Sequence, residues 1–427
     1  MKAGFLGKFF RSPESALALD AEALMTARGE ASGVARAREL LSTYAALPTE
    51  RRINFLRHLA EKFPADPKRI ERAIAAYLSA PGPQTALGLH KAAEPRRQEL
   101  LRRLNLAPGG TASLVRMRED LLRHLAAHPE LGPLDADFAH LFASWFNRGF
   151  LVLRRIDWST PAAVLEKVIR YEAVHEINGW PDLRRRLDPG DRRCFAFFHP
   201  ALADEPLIFV EVALTRSVPQ AIAPLLAEAR EEVDAHRASV AVFYSISNCQ
   251  DGLRGISFGS FLIKQVAEDL KRDLPQLKTF VTLSPVPGFV RWLQKEREAK
   301  ASPFVAAKDR PALRLMDEPG WHADADAQRR LRPVLSEAIA RYFLEAKNAA
   351  GKPVDPVARF HLGNGARLER INWMGDASDR GLVEGAGFMV NYVYDLGSIE
   401  RNHEAFENDG EVVAAGRVNL MRRRRAG

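Results

Sequence analysis

Val240-Ala-Val-Phe-Tyr-Ser-Ile-Ser247-Asn-Cys-Gln-Asp-Gly-Leu-Arg254-Gly255-Ile256-Ser257-Phe258-Gly259-Ser260 reads as a buried strand, a glycine-bearing turn and the start of a helix. Its opening residues are apolar or aromatic without polar alternation, as in a strand covered on both faces. A helical pattern follows as far as Leu270. Two short runs rich in β-branched and aromatic residues precede it, Cys194 to Phe198 and Leu207 to Leu214. Two more follow, Thr279 to Leu283 and Phe388 to Tyr394. Strands separated by helical stretches predict a mixed α/β domain.

Upstream the period changes. Between about residues 32 and 147 the apolar residues recur at three and four, as in Leu40, Leu41 and Tyr44, then Ile53, Leu56 and Leu59, then Leu121, Leu122 and Leu125. That is helical spacing. Breaks at Pro48, Pro64, Pro81-Gly82-Pro83, Pro108-Gly109-Gly110 and Gly132-Pro133 divide the stretch into about six helices. It holds no cluster of His, Cys or paired carboxylates, so a structural or oligomeric role is expected. A chain of 427 residues exceeds one hydrophobic core. The expected division is a helical bundle, residues 1–147, followed by a mixed α/β domain, residues 148–427, with the change at Phe146-Asn147-Arg148-Gly149-Phe150.

Composition excludes several classes. With 46% hydrophobic and 27% charged residues the chain is neither disordered nor fibrous, and no apolar run is long enough to span a membrane. Met1 to Pro13 lacks the apolar core of a secretory signal. Two cysteines, Cys194 and Cys249, make no disulfide framework and suit a reducing cytoplasm. The net charge of +8 suits an anionic partner, but no basic stripe interleaved with aromatics points to nucleic acid. The run Arg422-Arg423-Arg424-Arg425 reads as a solvated tail.

Three segments carry chemistry. In the opening stretch, unpaired N–H groups at a helix start and glycines that admit close approach can hold a phosphate; a simple tight turn is the alternative. The same residues spell Gly255-Ile256-Ser257-Phe258-Gly259, a nucleophile-elbow pattern that could recruit Asp376 and His403. Too few strand candidates precede Ser257 for that fold. The second segment is Thr282-Leu-Ser284-Pro-Val-Pro-Gly-Phe289, where prolines and a glycine fix the backbone at a strand end. On spacing alone, Ser284 reads as an N-cap for the helix of Trp292 and Leu293. The third is Pro356-Val-Ala-Arg-Phe-His361-Leu-Gly-Asn-Gly365, where the histidine is expected to be exposed at a turn and able to exchange a proton near neutral pH. No His-Glu-x-x-His or paired-cysteine pattern accompanies it, so a metal is not expected.

Together these segments, with Phe243-Tyr-Ser-Ile-Ser247, Phe261-Leu-Ile-Lys264, Arg370-Ile-Asn-Trp-Met374 and Asn391-Tyr-Val-Tyr394, resemble the malonyl-CoA decarboxylases. The resemblance is sharpest over 240–289 and 356–394. It implies a helical domain followed by a catalytic domain similar to GNAT acetyltransferases. It also implies that Arg254, Gly255, Ile256, Ser257, Phe258, Gly259 and Ser260 hold the CoA pyrophosphate, and that Ser284 and His361 are catalytic. The implied reaction turns malonyl-CoA into acetyl-CoA and CO2 with no cofactor beyond the coenzyme A of the substrate. The implied assembly is a homodimer or homotetramer built through the helical domain. The chain ends Arg425-Ala426-Gly427 rather than in a peroxisomal tripeptide, so a bacterial cytoplasm is expected. An acyltransferase of the same fold, or a CoA-dependent sensor, would share the CoA loop.

Overall fold

The structure, a computed structural model, describes residues 13–256 and 262–422. The chain forms two compact units. One takes the residues up to Val152 together with Phe198–Pro206 and the segment that starts at Gln250. The other takes Leu153–Phe197, Leu207–Cys249 and the described chain from Leu262 onward.

The first unit is helical. Among its described residues are α1 (Pro13–Thr26), α2 (Glu30–Ala46), α3 (Thr49–Lys62), α4 (Pro67–Ser79), α5 (Pro83–Ala93), α6 (Arg96–Asn105), α7 (Gly110–His124) and α8 (Gly132–Trp145). Seven of these, α2 to α8, fall where about six were expected. The extra break lies at Glu94-Pro95: the proline ring excludes the helical region for the preceding residue, and Glu94 is extended at φ −66, ψ 122. Leu56, Leu59, Leu100, Leu104, Leu114 and Phe138 are fully buried, which explains the three-four spacing. The later segment Phe198–Pro206 joins this core through His199, whose ring lies 4.8 Å from that of Phe146.

The second unit is built on eight strands among the described residues: β1 (Val152–Ile156), β2 (Arg192–Phe198), β3 (Pro206–Thr215), β4 (Val240–Asn248), β5 (Thr279–Thr282), β6 (Ser284–Pro285), β7 (Arg367–Asn372) and β8 (Met389–Val393). Their order is β1-β2-β3-β4-β5-β8-β6, and β7 also pairs with β8. All five expected strands are present. β1, β6 and β7 were not expected: β1 is largely exposed, and β6 has two residues. A helical region followed by a mixed α/β domain is the architecture expected.

β3 and β4 pair antiparallel, with a register shift between Glu211 and Val212. β4 and β5 pair in parallel from Val240–Thr279 to Phe243–Thr282. A parallel pair needs a crossover, which the helix Leu262–Asp273 supplies. β4 is central and buried along most of its length, and Val240, Val242 and Tyr244 share a core with Val281, Leu283 and Met389. Among the described residues no helix is long and apolar enough to cross a membrane.

Candidate active site

β5 accompanies β4 only as far as Phe243. At Leu283, whose N–H still donates to the Phe243 carbonyl at 3.0 Å, the chain turns aside. Ser284 and Pro285 then pair with Val390 and Met389 of β8, while β4 runs on to Asn248. Two strands that part in this way leave a cleft. A cavity of about 230 Å³ occupies it, lined from β4 by Phe243, Tyr244, Ile246 and Asn248 and facing Ser284, Val357, Phe360 and His361. A larger cavity, about 660 Å³, lies among Arg329, Arg332, Arg417 and Leu420, but it contains none of the expected site residues. We place the candidate site in the smaller one, where two expected residues meet.

Ser284 is not an N-cap. The helix Phe289–Glu298 starts after Gly288, and Ser284 sits upstream in β6. Pro285, lacking an N–H, is tolerated in so short a strand.

His361 is not exposed either. It lies in the last turn of the helix Pro356–Gly363 and is 3% exposed. Asp355 caps that helix by accepting the Ala358 amide at 2.7 Å, and Pro356 takes the first turn. The Tyr342 hydroxyl donates to Asp355 at 3.1 Å; burial nevertheless raises the Asp355 carboxyl to about 6. Gly365, at φ +79, ends the helix, and the Ala366 amide returns to the His361 carbonyl at 3.0 Å. A Cβ on Gly365 would lie 2.0 Å from the Ile399 carbonyl oxygen. The Gly-Asn-Gly next to the histidine is therefore a helix stop pressed against backbone.

The Ser284 Oγ and His361 Nε2 are 3.0 Å apart, and His361 Nδ1 is 2.8 Å from the Tyr394 hydroxyl. The His361 ring stacks on Tyr392 at 4.6 Å. Ser284 donates to Thr282 Oγ1 at 2.9 Å. Assigned from this network, the proton of the imidazole sits on Nε2 and is donated to Ser284, while Nδ1 accepts from Tyr394. Burial lowers the His361 pKa to about 3, so the ring is neutral at ordinary pH.

Thr282, Tyr392 and Tyr394 lie within the sequence motifs, but their spacing alone assigns them no role. The alternation Asn391-Tyr-Val-Tyr394 already puts both tyrosines on one side of the chain as it leaves β8. Glu172 gave no signal in the sequence. Its carboxylate accepts from Ser245 Oγ at 2.7 and 2.8 Å and from the amides of Val174 and His175 at 2.8 and 2.7 Å. It thus ties the chain next to Val174, a cavity wall, to the face of β4 that alternates with Tyr244 and Ile246.

Of the expected phosphate turn, Arg254, Gly255 and Ile256 are described; Ser257, Phe258, Gly259 and Ser260 lie outside the described residues. Gly255 has φ +81 with open space where a Cβ would be, and Arg254 is exposed. Asp376 and His403, the partners an elbow serine would need, have backbone partners of their own: Asp376 accepts the Ser378 amide, and His403 donates to the Gly363 carbonyl at 2.6 Å. Cys194 and Cys249 are both buried, and burial pushes the Cys194 thiol up, away from reactivity. Among the described residues no group of three or more His, Cys, Asp or Glu side chains is placed to hold a metal.

Two family models cover most of the chain: the malonyl-CoA decarboxylase N-terminal domain matches residues 63–146, and the malonyl-CoA decarboxylase C-terminal domain matches residues 149–426. The chain belongs to the malonyl-CoA decarboxylase family. As a member it is a decarboxylase. The crystal structure of malonyl-CoA decarboxylase from Rhodopseudomonas palustris is similar at 56% identity and a TM-score of 0.94, covering 96% of this chain and 100% of that one. The enzyme from Agrobacterium vitis is 56% identical, with a TM-score of 0.91 over 95% and 99% of the two chains. Mitochondrial malonyl-CoA decarboxylase of Anser anser anser is 35% identical over 416 residues, 90% of this chain and 82% of its own.

Proposed function

We propose that this chain converts malonyl-CoA to acetyl-CoA and CO2, in fatty-acid or malonate metabolism, through a thioester enolate protonated by the Ser284–His361 pair. The supporting observation is that pair, buried and hydrogen-bonded in the cleft where β4 and β5 part. When the bond from C2 to the carboxylate breaks, CO2 leaves and the electron pair spreads over C2 and the thioester oxygen. The thioester is the electron sink, so the reaction calls for no further cofactor. Among the described residues the cavity walls are mainly apolar and carry no Lys or Arg. Such walls favour a step that turns a carboxylate into neutral CO2.

The enolate then takes a proton at C2. In the assigned network His361 holds one on Nε2, towards Ser284, and Nδ1 can take another from Tyr394 as the first departs. Ser284 turns its hydroxyl hydrogen from Thr282 to the malonyl group and passes it to C2, taking the His361 Nε2 proton in its place; a solvent proton then returns to the Tyr394 oxygen, where burial disfavours a phenolate. Incubation of the purified protein with malonyl-CoA alone tests the assignment. The expected products are CO2 and acetyl-CoA in equal amounts, with one deuterium at C2 when the solvent is heavy water. Turnover that requires an amine acceptor would indicate an acyltransferase; binding without turnover would indicate a sensor.

We further propose that the chain assembles with copies of itself through α4 and α5. Ile70, Ile74, Tyr77 and Leu78 follow one face of α4, yet α4 buries no residue, and Ile74, Tyr77, Leu78 and, on α5, Leu87 are exposed. An uncovered apolar face of this kind suits a second copy, as the family resemblance implies. Light scattering should give a multimer for the native protein and a smaller particle for Leu78→Glu; an unchanged mass for the variant would rule this face out.

A further inference from the structure

We infer that Arg118, on helix α7, is the positioning residue of the turn that receives the CoA phosphates; the inference rests on the phosphate reading of the turn at Arg254 and Gly255. The Arg118 side chain is 4% exposed, and its Nε donates to Asp135 at 2.8 Å. Its Nη1 donates to the carbonyl oxygens of Gly252 at 2.9 Å and Arg254 at 3.0 Å. Gly252 lies against the same helix, so close that a Cβ there would come within 2.0 Å of the Val115 carbonyl oxygen.

These contacts decide which way the turn faces. A trans peptide points its C=O and the following N–H in opposite directions. Drawing the Arg254 carbonyl towards a buried guanidinium therefore aims the Gly255 N–H away from α7. It also removes a carbonyl oxygen that would repel an approaching phosphate. The Gly252 carbonyl is held in the same way, and the Ile256 amide closes the turn on the Leu253 carbonyl at 3.0 Å. Gly255, at φ +81 with nothing where its Cβ would be, and the exposed Arg254 side chain are left to meet an anion. Nothing in the spacing of residues 118 and 254 would have linked them.

Steady-state kinetics of the full chain with two thioesters test this. Malonyl-CoA carries the nucleotide phosphates, and malonyl-pantetheine lacks them. Arg118→Met should raise the KM for malonyl-CoA about ten-fold, in line with losing hydrogen bonds to a charged group, and leave kcat near its original value. The kcat/KM for malonyl-pantetheine should not change. An unchanged KM for malonyl-CoA, or an equal loss with both thioesters, overturns the inference. If Arg118→Met does not fold, Arg118→Met/Asp135→Asn, which leaves no unpaired carboxylate, is read in the same way. Gly255→Val separates the two levels: if it raises KM while Arg118→Met does not, only the inference falls. If neither variant changes KM, the phosphate reading itself is wrong.

Discussion

Ser284→Ala and His361→Asn are each expected to lower kcat by about 100 to 1000-fold, the usual consequence of removing one well-placed hydrogen-bond donor. Acetyl-CoA should still bind both variants, because neither side chain is part of the turn assigned to the phosphates. Combining the two substitutions should cost little more than either alone. Residues that pass a proton between them fail as a unit, so additive losses would argue against the 3.0 Å contact as a proton path.

The same experiment has a pH axis. His361 is held neutral because burial takes its pKa to about 3. The kcat profile should therefore be flat across the range where an ordinary histidine titrates. A limb near pH 6.5 that disappears in His361→Asn would show the ring charging in the working enzyme. Stability follows with a definite sign. The unfolded chain takes up a proton at this histidine near 6.5 and the folded chain does not until about 3. The contribution is therefore complete above 6.5 and is lost as pH falls towards 3.

Gly365→Ala should produce the largest loss of stability among the glycines at the site. Alanine at φ +79 costs about 1 kcal/mol from the left-handed conformation. A Cβ 2.0 Å from the Ile399 carbonyl forces backbone movement, adding roughly 1–3 kcal/mol. Gly351→Ala is the control, since φ is +72 there but nothing lies within 4 Å of the added carbon. Thermal melts should show the Gly365 variant well below the Gly351 variant; equal melting temperatures would mean the close approach relaxes at no cost. Activity should fall as well, because the displaced turn ends the helix that carries His361.

The strands of the second unit were legible because β2, β3, β4 and β8 are buried runs, and such runs need no knowledge of their partners. β1 was not, since it is mostly exposed, and β7 was not, since its apolar residues barely alternate. The break at Pro95 was readable by the rule that found the others. Ser284 and His361 were different. A two-residue strand exists only because β8 lies alongside it, and β8 arrives a hundred residues later. Spacing therefore made Ser284 a helix cap, and Gly-Asn-Gly made His361 look exposed. The resemblance singled out both residues, whereas their burial, tautomer and hydroxyl partners come from packing that no local pattern encodes.

The helical unit has one consequence for biosynthesis. Two of its pieces, Phe198–Pro206 and the segment from Gln250, are translated long after α8. Until they emerge from the ribosome, Phe146 lacks the His199 ring and Arg118 lacks its two carbonyl partners. The N-terminal helices can form early but cannot finish packing, so a fragment cut at residue 147 would resemble a nascent chain waiting for its own later half.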